Sequence, residues 1–295
     1  MTMNFDFGGY VERRKGGVTG ERGEGYAFEG DLKVLRAMRK VKAVEVAVAQ
    51  MVKLSKTMLS TNLLGTAVRV GPKQFPRVHR IVAECAATLG IPTPQVYIVP
   101  NIASINAFTF GTEDSATIVV HAAMFEHFDD DELRFVIGHE CGHIQNNHVV
   151  YLTTLAMLQR IMAAAGGVLL APFMLPIATA LSSWSRAAEI TCDRAGLLCC
   201  KNDAAATSSF AKLAIGSRKL FAEMDMDVYL EQLGDSRDGV GRMGELQMSH
   251  PYLTKRIESL RLFHSSALYR GAIGLSGGIT REELEQRTSE LIKVL

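Results

Sequence analysis

The chain has 295 residues, 47% of them hydrophobic, with 32 Lys and Arg against 31 Asp and Glu and a formal net charge of +1. That is apolar enough for a full core, and too evenly charged to suggest nucleic-acid binding. No Cys-x-x-Cys and no solenoid-length repeat is present, and no linker divides residues 31–265, so one main domain is expected over 31–295.

Residues 1–30 hold eight of the 26 glycines and few aliphatic side chains, which predicts a flexible Gly-rich arm. No apolar run follows Met1, so no signal peptide is expected; five cysteines without a framework fit reduced thiols in the cytoplasm. From Asp31 to about Leu64, Leu32, Leu35, Met38, Val41, Val44, Val48 and Met51 repeat at helical spacing, with Asp31 as the expected N-cap. The polar side of that helix is basic, a pattern suited either to solvent or to an anionic membrane surface. A second helix is expected from about Lys73 to Leu89, stopped by Gly90. Three short strands follow, at 95–99, 104–110 and 116–120.

Asp129-Asp130-Asp131-Glu132 places acids at the positive end of the next helix, where they act as caps. That helix carries His139-Glu140-Cys141-Gly142-His143. Histidines at i and i+4 stand on one face, so both imidazoles can reach a single metal ion. Glu140 stands beside that face, where it can take a proton from a metal-activated water. Cys141 is turned about 200° from His139 and is a poor ligand. His148 follows one turn and a little more after His143. His79, His121, His127 and His264 have no spaced partner and are expected to be structural.

Ile161 to Leu181 is uncharged for 21 residues, long enough for a membrane span. A single crossing is excluded if the chain must return to His143, and Gly166, Gly167, Pro172 and Pro176 mark bends. Residues 149–184 are therefore expected to form an apolar helical hairpin. It would be packed on the protein, buried in a homo-oligomer contact or dipped into a membrane surface. A further helix over Arg186–Gly196 brings Glu189 and Asp193, again at i and i+4. Glu189 is the natural third ligand of a zinc site, and Asp193 can accept the free ring N–H of His139 and fix its tautomer. Ala204 to about Gly234 reads as helical, with Met224 and Met226 as core or interface filler. His250-Pro251 leads into a helix carrying Arg256, and Thr280 three residues before Glu283 opens a last one.

Four separated signals, in this order, resemble the gluzincin metallopeptidases of the HtpX and CAAX-prenyl-protease type. They are Asn106-Ala107-Phe108, then His139–His143 with Ile144 and Asn146-Asn147-His148, then Arg186-Ala-Ala-Glu189-Ile-Thr-Cys-Asp193, then Ser249-His250-Pro251 with Arg256. Cys141 and Cys192 stand where that family usually has small or aliphatic residues. The resemblance implies an α+β, predominantly helical, zincin-like domain with a small three-stranded sheet. In it, Asn106, Ala107 and Phe108 form the edge strand that receives a peptide substrate by main-chain pairing. It also implies that His250 and Arg256, six residues apart, approach the scissile carbonyl. The expected protein is a zinc metalloendopeptidase with one zinc on His139, His143 and Glu189, and Glu140 as general base, with protein quality control as its setting. The alternative is a metal-stabilised scaffold or assembly factor, membrane-associated and with weak or latent proteolysis. The chain lacks the many spans of an intramembrane prenyl-protein peptidase.

Overall fold

The computed structural model describes residues 25–40, 65–112, 115–163, 167–235 and 252–293, with Gly23 and Val48. The expected helix beyond Lys40, most of the expected arm, and His250 lie outside the described residues. The first helix, α1 (Glu29–Arg39), starts earlier than its apolar period suggests, with Phe28 and not Asp31 at the N-cap. The reason is burial: Ala27 and Phe28 are packed away, so the expected arm is part of the core from there on. Asp31 shares the buried face with Leu35 and Met38 and is itself fully buried.

Among the described residues the sheet has four strands, not three, in the order β1-β2-β4-β3. The addition is β1 (Val68–Arg69), a two-residue strand antiparallel to β2 (Gln95–Val99) and too short to carry a period. β2 runs parallel to β4 (Ser115–His121), and β4 pairs antiparallel with β3 (Ala107–Thr112), an edge strand. Between β1 and β2 lies α2 (Pro76–Leu89), closed by Gly90 at φ 65° as glycine at that position allows.

After the short α3 (Ala123–His127) comes α4 (Asp130–Gln145), which carries both site histidines. Its start is a full capping box: Asp129 Oδ1 accepts from the Asp131 and Glu132 amides, and Glu132 Oε2 accepts from the Asp129 amide at 2.8 Å. Three-dimensional position follows from two long partners, α5 (Val149–Ala163) and α6 (Gly167–Cys200). Pro172 and Pro176 were expected as bends, yet α6 continues through both into the segment with Glu189 and Asp193. Both prolines are exposed, and so is Leu175 between them at 57%. No helix among the described residues is long and apolar enough to cross a membrane.

The hairpin's inner face meets α1: Leu35, Met38, Val150, Tyr151, Leu155, Leu158, Leu181 and Trp184 form one cluster. A larger core joins α2, the sheet, α4 and the C-terminal helices through residues such as Ile81, Ile118, Leu133, Ile137, Phe210 and Phe263. The helical stretch expected over 204–234 consists of α7 (Asp203–Ile215), α8 (Arg218–Phe221) and α9 (Met226–Asp235). Gly216 at φ 69° ends the first of these, a backbone conformation that glycine adopts without strain. The chain closes with α10 (Leu253–His264), α11 (Ala267–Ala272) and α12 (Arg281–Ile292), the last capped by the Thr280 hydroxyl on the Glu283 amide.

Candidate metal centre

Helices α4 and α6 approach closely because glycines face the contact. A Cβ at Gly138 would lie 2.6 Å from Cys199 Cβ, one at Gly142 2.8 Å from Ala195 Cβ, and one at Gly196 2.7 Å from the Phe135 carbonyl oxygen. This contact brings Glu189 and Asp193 of α6 up to His139 and His143 of α4. His139 Nε2 and His143 Nε2 lie 3.2 Å apart, with Glu189 Oε2 3.5 Å from the first and Glu189 Oε1 3.5 Å from the second. Donors held at about 2.0–2.1 Å by one tetrahedral zinc stand about 3.4 Å apart, so these three fit a zinc ion with a fourth position open. All three side chains are buried. Two imidazole nitrogens and a carboxylate turned to a common point are an arrangement that a cation or a proton relieves.

Asp193 sets the first ring. His139 Nδ1 is 2.9 Å from Asp193 Oδ1, and a carboxylate can only accept, so the ring proton sits on Nδ1 and the Nε2 lone pair faces the cluster. Arg256 holds Asp193 in turn with both prongs, Nε donating to Oδ2 at 2.8 Å and Nη2 to Oδ1 at 2.6 Å. Its Nη1 lies 3.0 Å from Glu189 Oε2, and the guanidinium stands 4.9 Å from the Phe210 ring centroid. Burial would lower the Arg256 pKa, but Asp193 and Glu189 outweigh it and raise it, so the cation is permanent. Burial pulls His139 down as well, and the same two carboxylates raise it above its ordinary value. At His143 burial prevails, with His139 beside it, and the pKa is lowered, which favours the neutral ring that ligation needs.

Glu140 is buried and turned to the sheet, where Thr109 of β3 donates its hydroxyl to Oε2 at 2.6 Å. Thr109 was not singled out by the sequence, although it lies one residue past Asn106-Ala107-Phe108. Those three divide. Asn106 precedes the strand and its carbonyl accepts from the His121 amide at 2.9 Å. Phe108 is 38% exposed, on the side of the strand opposite Thr109. The Gly111 amide points off the edge to Thr153 Oγ1 at 3.2 Å. Main-chain groups alternate along a strand, so those of Ala107 and Thr109 point off the same edge.

His148 and Asp31 also belong to the site's surroundings. His148 Nδ1 lies 3.2 Å from His143 Nδ1, and Cys192 Sγ lies 3.2 Å from the same nitrogen. Asp31 Oδ2 lies 3.1 Å from His148 Nε2. The proximity of His148 to His143 in sequence hinted at its place. For Asp31 the available signal was an acid on the apolar stripe of Leu35 and Met38, a position that solvent does not reach. Cys141 is buried in the main core, away from the cluster, and Cys192 is held far above the usual thiol pKa by burial, then by Glu189.

Residues 72–263 match the profile of peptidase family M48. The chain is 34% identical over 184 residues to the plastoglobule-localized metallopeptidase 48 of Arabidopsis thaliana chloroplasts, a match covering 59% of this chain and 50% of that one. It is 26% identical over 209 residues to a Protease HtpX homolog of Methanopyrus kandleri, covering 63% and 66%. It therefore spans about half the length of the plant relative. The crystal structure of S. mikatae Ste24p aligns with a TM-score of 0.42 at 16% identity, over 78% of this chain and 61% of that one.

Proposed function

The chain belongs to peptidase family M48, and on that premise we propose that it is a zinc-dependent metalloendopeptidase, with His139, His143 and Glu189 as ligands and Glu140 as general base. The observation that carries the reading is the convergence of those three donors at the spacing of a tetrahedral zinc, with Glu140 on the same helix turn. Zinc bound there supplies polarisation of the substrate carbonyl and lowers the pKa of an attacking water to about 7.

The rest is done by the chain's own groups. Glu140 takes the proton of the attacking water and hands it to the leaving amine. The Thr109 hydroxyl holds Oε2, which leaves Oε1 to carry that proton and fixes the carboxylate's direction. Asp193 keeps His139 in the ligating tautomer, and Arg256 keeps Asp193 and Glu189 in place; with its donors engaged this way, Arg256 is a positioning residue. Contact with the developing oxyanion then falls to His250. A peptide or protein substrate lies extended along β3, bonded to the outward main-chain groups of Ala107 and Thr109, with Asn106 and Phe108 bordering its side chains.

Glu140→Gln tests the assignment. The variant is expected to bind one zinc per chain and to cleave casein not at all, while the wild type is stopped by a chelator and restored by zinc. Full peptidase activity in Glu140→Gln refutes the base, and a wild type that holds zinc yet cuts nothing favours the scaffold reading.

A further inference from the structure

Asp31 has no place in the chemistry so far, and it lies outside the residues that match the family. Yet its carboxylate is fully buried and surrounded by donors. Trp184 Nε1 donates to Oδ1 at 2.8 Å, Thr191 Oγ1 donates to Oδ2 at 2.7 Å, and His148 Nε2 lies 3.1 Å from Oδ2. Burial alone would raise the Asp31 pKa, but His148, Thr191 and Trp184 outweigh it and hold it below the ordinary carboxylate value.

We propose that Asp31 is a positioning residue for the metal centre: acting through His148, it fixes the tautomer and orientation of His143. The argument rests on the zinc reading above and follows from donor and acceptor counts. Among the described residues His148 Nε2 makes no well-aligned hydrogen bond, and its polar neighbour is Asp31 Oδ2 at 3.1 Å. A bare ring nitrogen there would face an ionised carboxylate lone pair to lone pair, so the His148 proton sits on Nε2, on the Asp31 side. His148 Nδ1 is then a bare acceptor. It stands 3.2 Å from His143 Nδ1, and two ring nitrogens at that distance need one proton between them. That proton is His143's, which leaves the Nε2 lone pair turned to His139 Nε2 and Glu189. The T-shaped contact of the His148 ring with Trp184, centroids 5.3 Å apart, holds the relay ring in place. Each ligating histidine thus has its own carboxylate, Asp193 directly and Asp31 through one imidazole. The second is delivered by a helix from the N-terminal region.

Asp31→Asn reverses this chain without changing its shape. The indole can only donate, so the amide oxygen must face Trp184, and the amide NH2 then faces Thr191 and His148. His148 must accept at Nε2 and carry its proton on Nδ1, where it meets the His143 N–H donor to donor. The measurement is zinc affinity by competition with a fluorescent chelator, together with the visible absorption of the cobalt-substituted protein. Asp31→Asn is expected to weaken zinc binding about 10–100-fold and to change the cobalt spectrum, as loss of a ligand's hydrogen-bond partner does. Trp184→Phe removes a different donor from Asp31 but keeps an aromatic ring beside His148 and an Asp31 carboxylate that can only accept, and is expected to weaken zinc binding clearly less than Asp31→Asn does. Asp31→Asn at wild-type affinity, or an equal loss in Trp184→Phe, overturns the proposal. Should Asp31→Asn not fold, the pair His148→Asn and His148→Phe decides. Asn offers an amide oxygen where Nδ1 stood and keeps most of the affinity, Phe offers none and loses it, and equal losses overturn the relay. A wild type that binds no zinc would instead refute the metal reading itself.

Discussion

Replacing Gly142 by alanine sets two effects of known size against each other. Alanine in a helix interior is favoured over glycine by about 1 kcal/mol. Its Cβ, however, would lie 2.8 Å from Ala195 Cβ, 3.2 Å from Cys192 Cα and 3.4 Å from Cys192 Sγ. Carbon atoms rest at about 3.5–4.0 Å, so at least about 0.7 Å must be recovered. The opposing atoms are backbone and a Cβ of α6, which cannot rotate away, so α4 and α6 must separate. Overpacking of this kind costs about 1–3 kcal/mol, which exceeds the propensity gain. The same separation carries Glu189 away from His139 and His143, whose present spacing of 3.5 Å already matches a tetrahedral edge. Sites tolerate displacements of about 0.5 Å. Gly142→Ala is therefore expected to bind zinc at least about tenfold more weakly and to melt a few degrees lower in the metal-free form. Chelator competition and thermal unfolding measure both. Gly271→Ala is the control: no atom lies within 4 Å of its Cβ, so the metal-free protein should melt no lower and bind zinc normally. A Gly142→Ala protein that melts higher than wild type and holds zinc as tightly would refute the reasoning.

Other substitutions probe other links. Thr109→Val keeps the shape of β3 but removes the donor to Glu140 Oε2, a hydrogen bond to a charged group worth about 1.5–3 kcal/mol. The expected result is a fall in kcat/KM of about 10–100-fold with zinc content intact, and unchanged turnover would remove Thr109 from the mechanism. Arg194 is buried against Glu285 of α12 at 2.6 Å and also donates to the Tyr26 carbonyl. Glu285→Ala strands that charge and should lower stability by about 3–5 kcal/mol in urea titrations; an unmoved midpoint would show the pair contributes nothing. Burial pushes the Cys200 thiol from 9.0 up to about 12. Above pH 9 the unfolded chain loses this proton while the native state keeps it, so stability should fall as pH rises from 9 towards 12. Cys200→Ala should flatten that slope in urea midpoints taken on either side of pH 9, and an identical slope would assign it elsewhere.

What the sequence determined was what short-range geometry controls. The spacing of His139, Glu140 and His143, the Asp129 capping box, Gly90 as a helix stop and the apolar strands at 95–99 and 116–120 each depend on residues within a turn or a pleat of one another. The pairing of Glu189 and Asp193 with the histidines was also legible, because a ligand count demanded a third donor. Tertiary structure alone decided the rest. Whether two residues at 68–69 join a sheet and how the helical stretch at 204–234 is divided are decided beyond the reach of any local period. Arg256 shows the same division: the family resemblance implied an approach to the substrate's carbonyl, and its folded position engages Asp193 and Glu189. Asp31 shows it most plainly. Its partners Trp184 and Thr191 are more than 150 residues away, and no local period records that a carboxylate on the first helix will be enclosed beside a histidine. Burial of a charge is a property of the assembled layers, and only there does its need for donors place it at the metal centre.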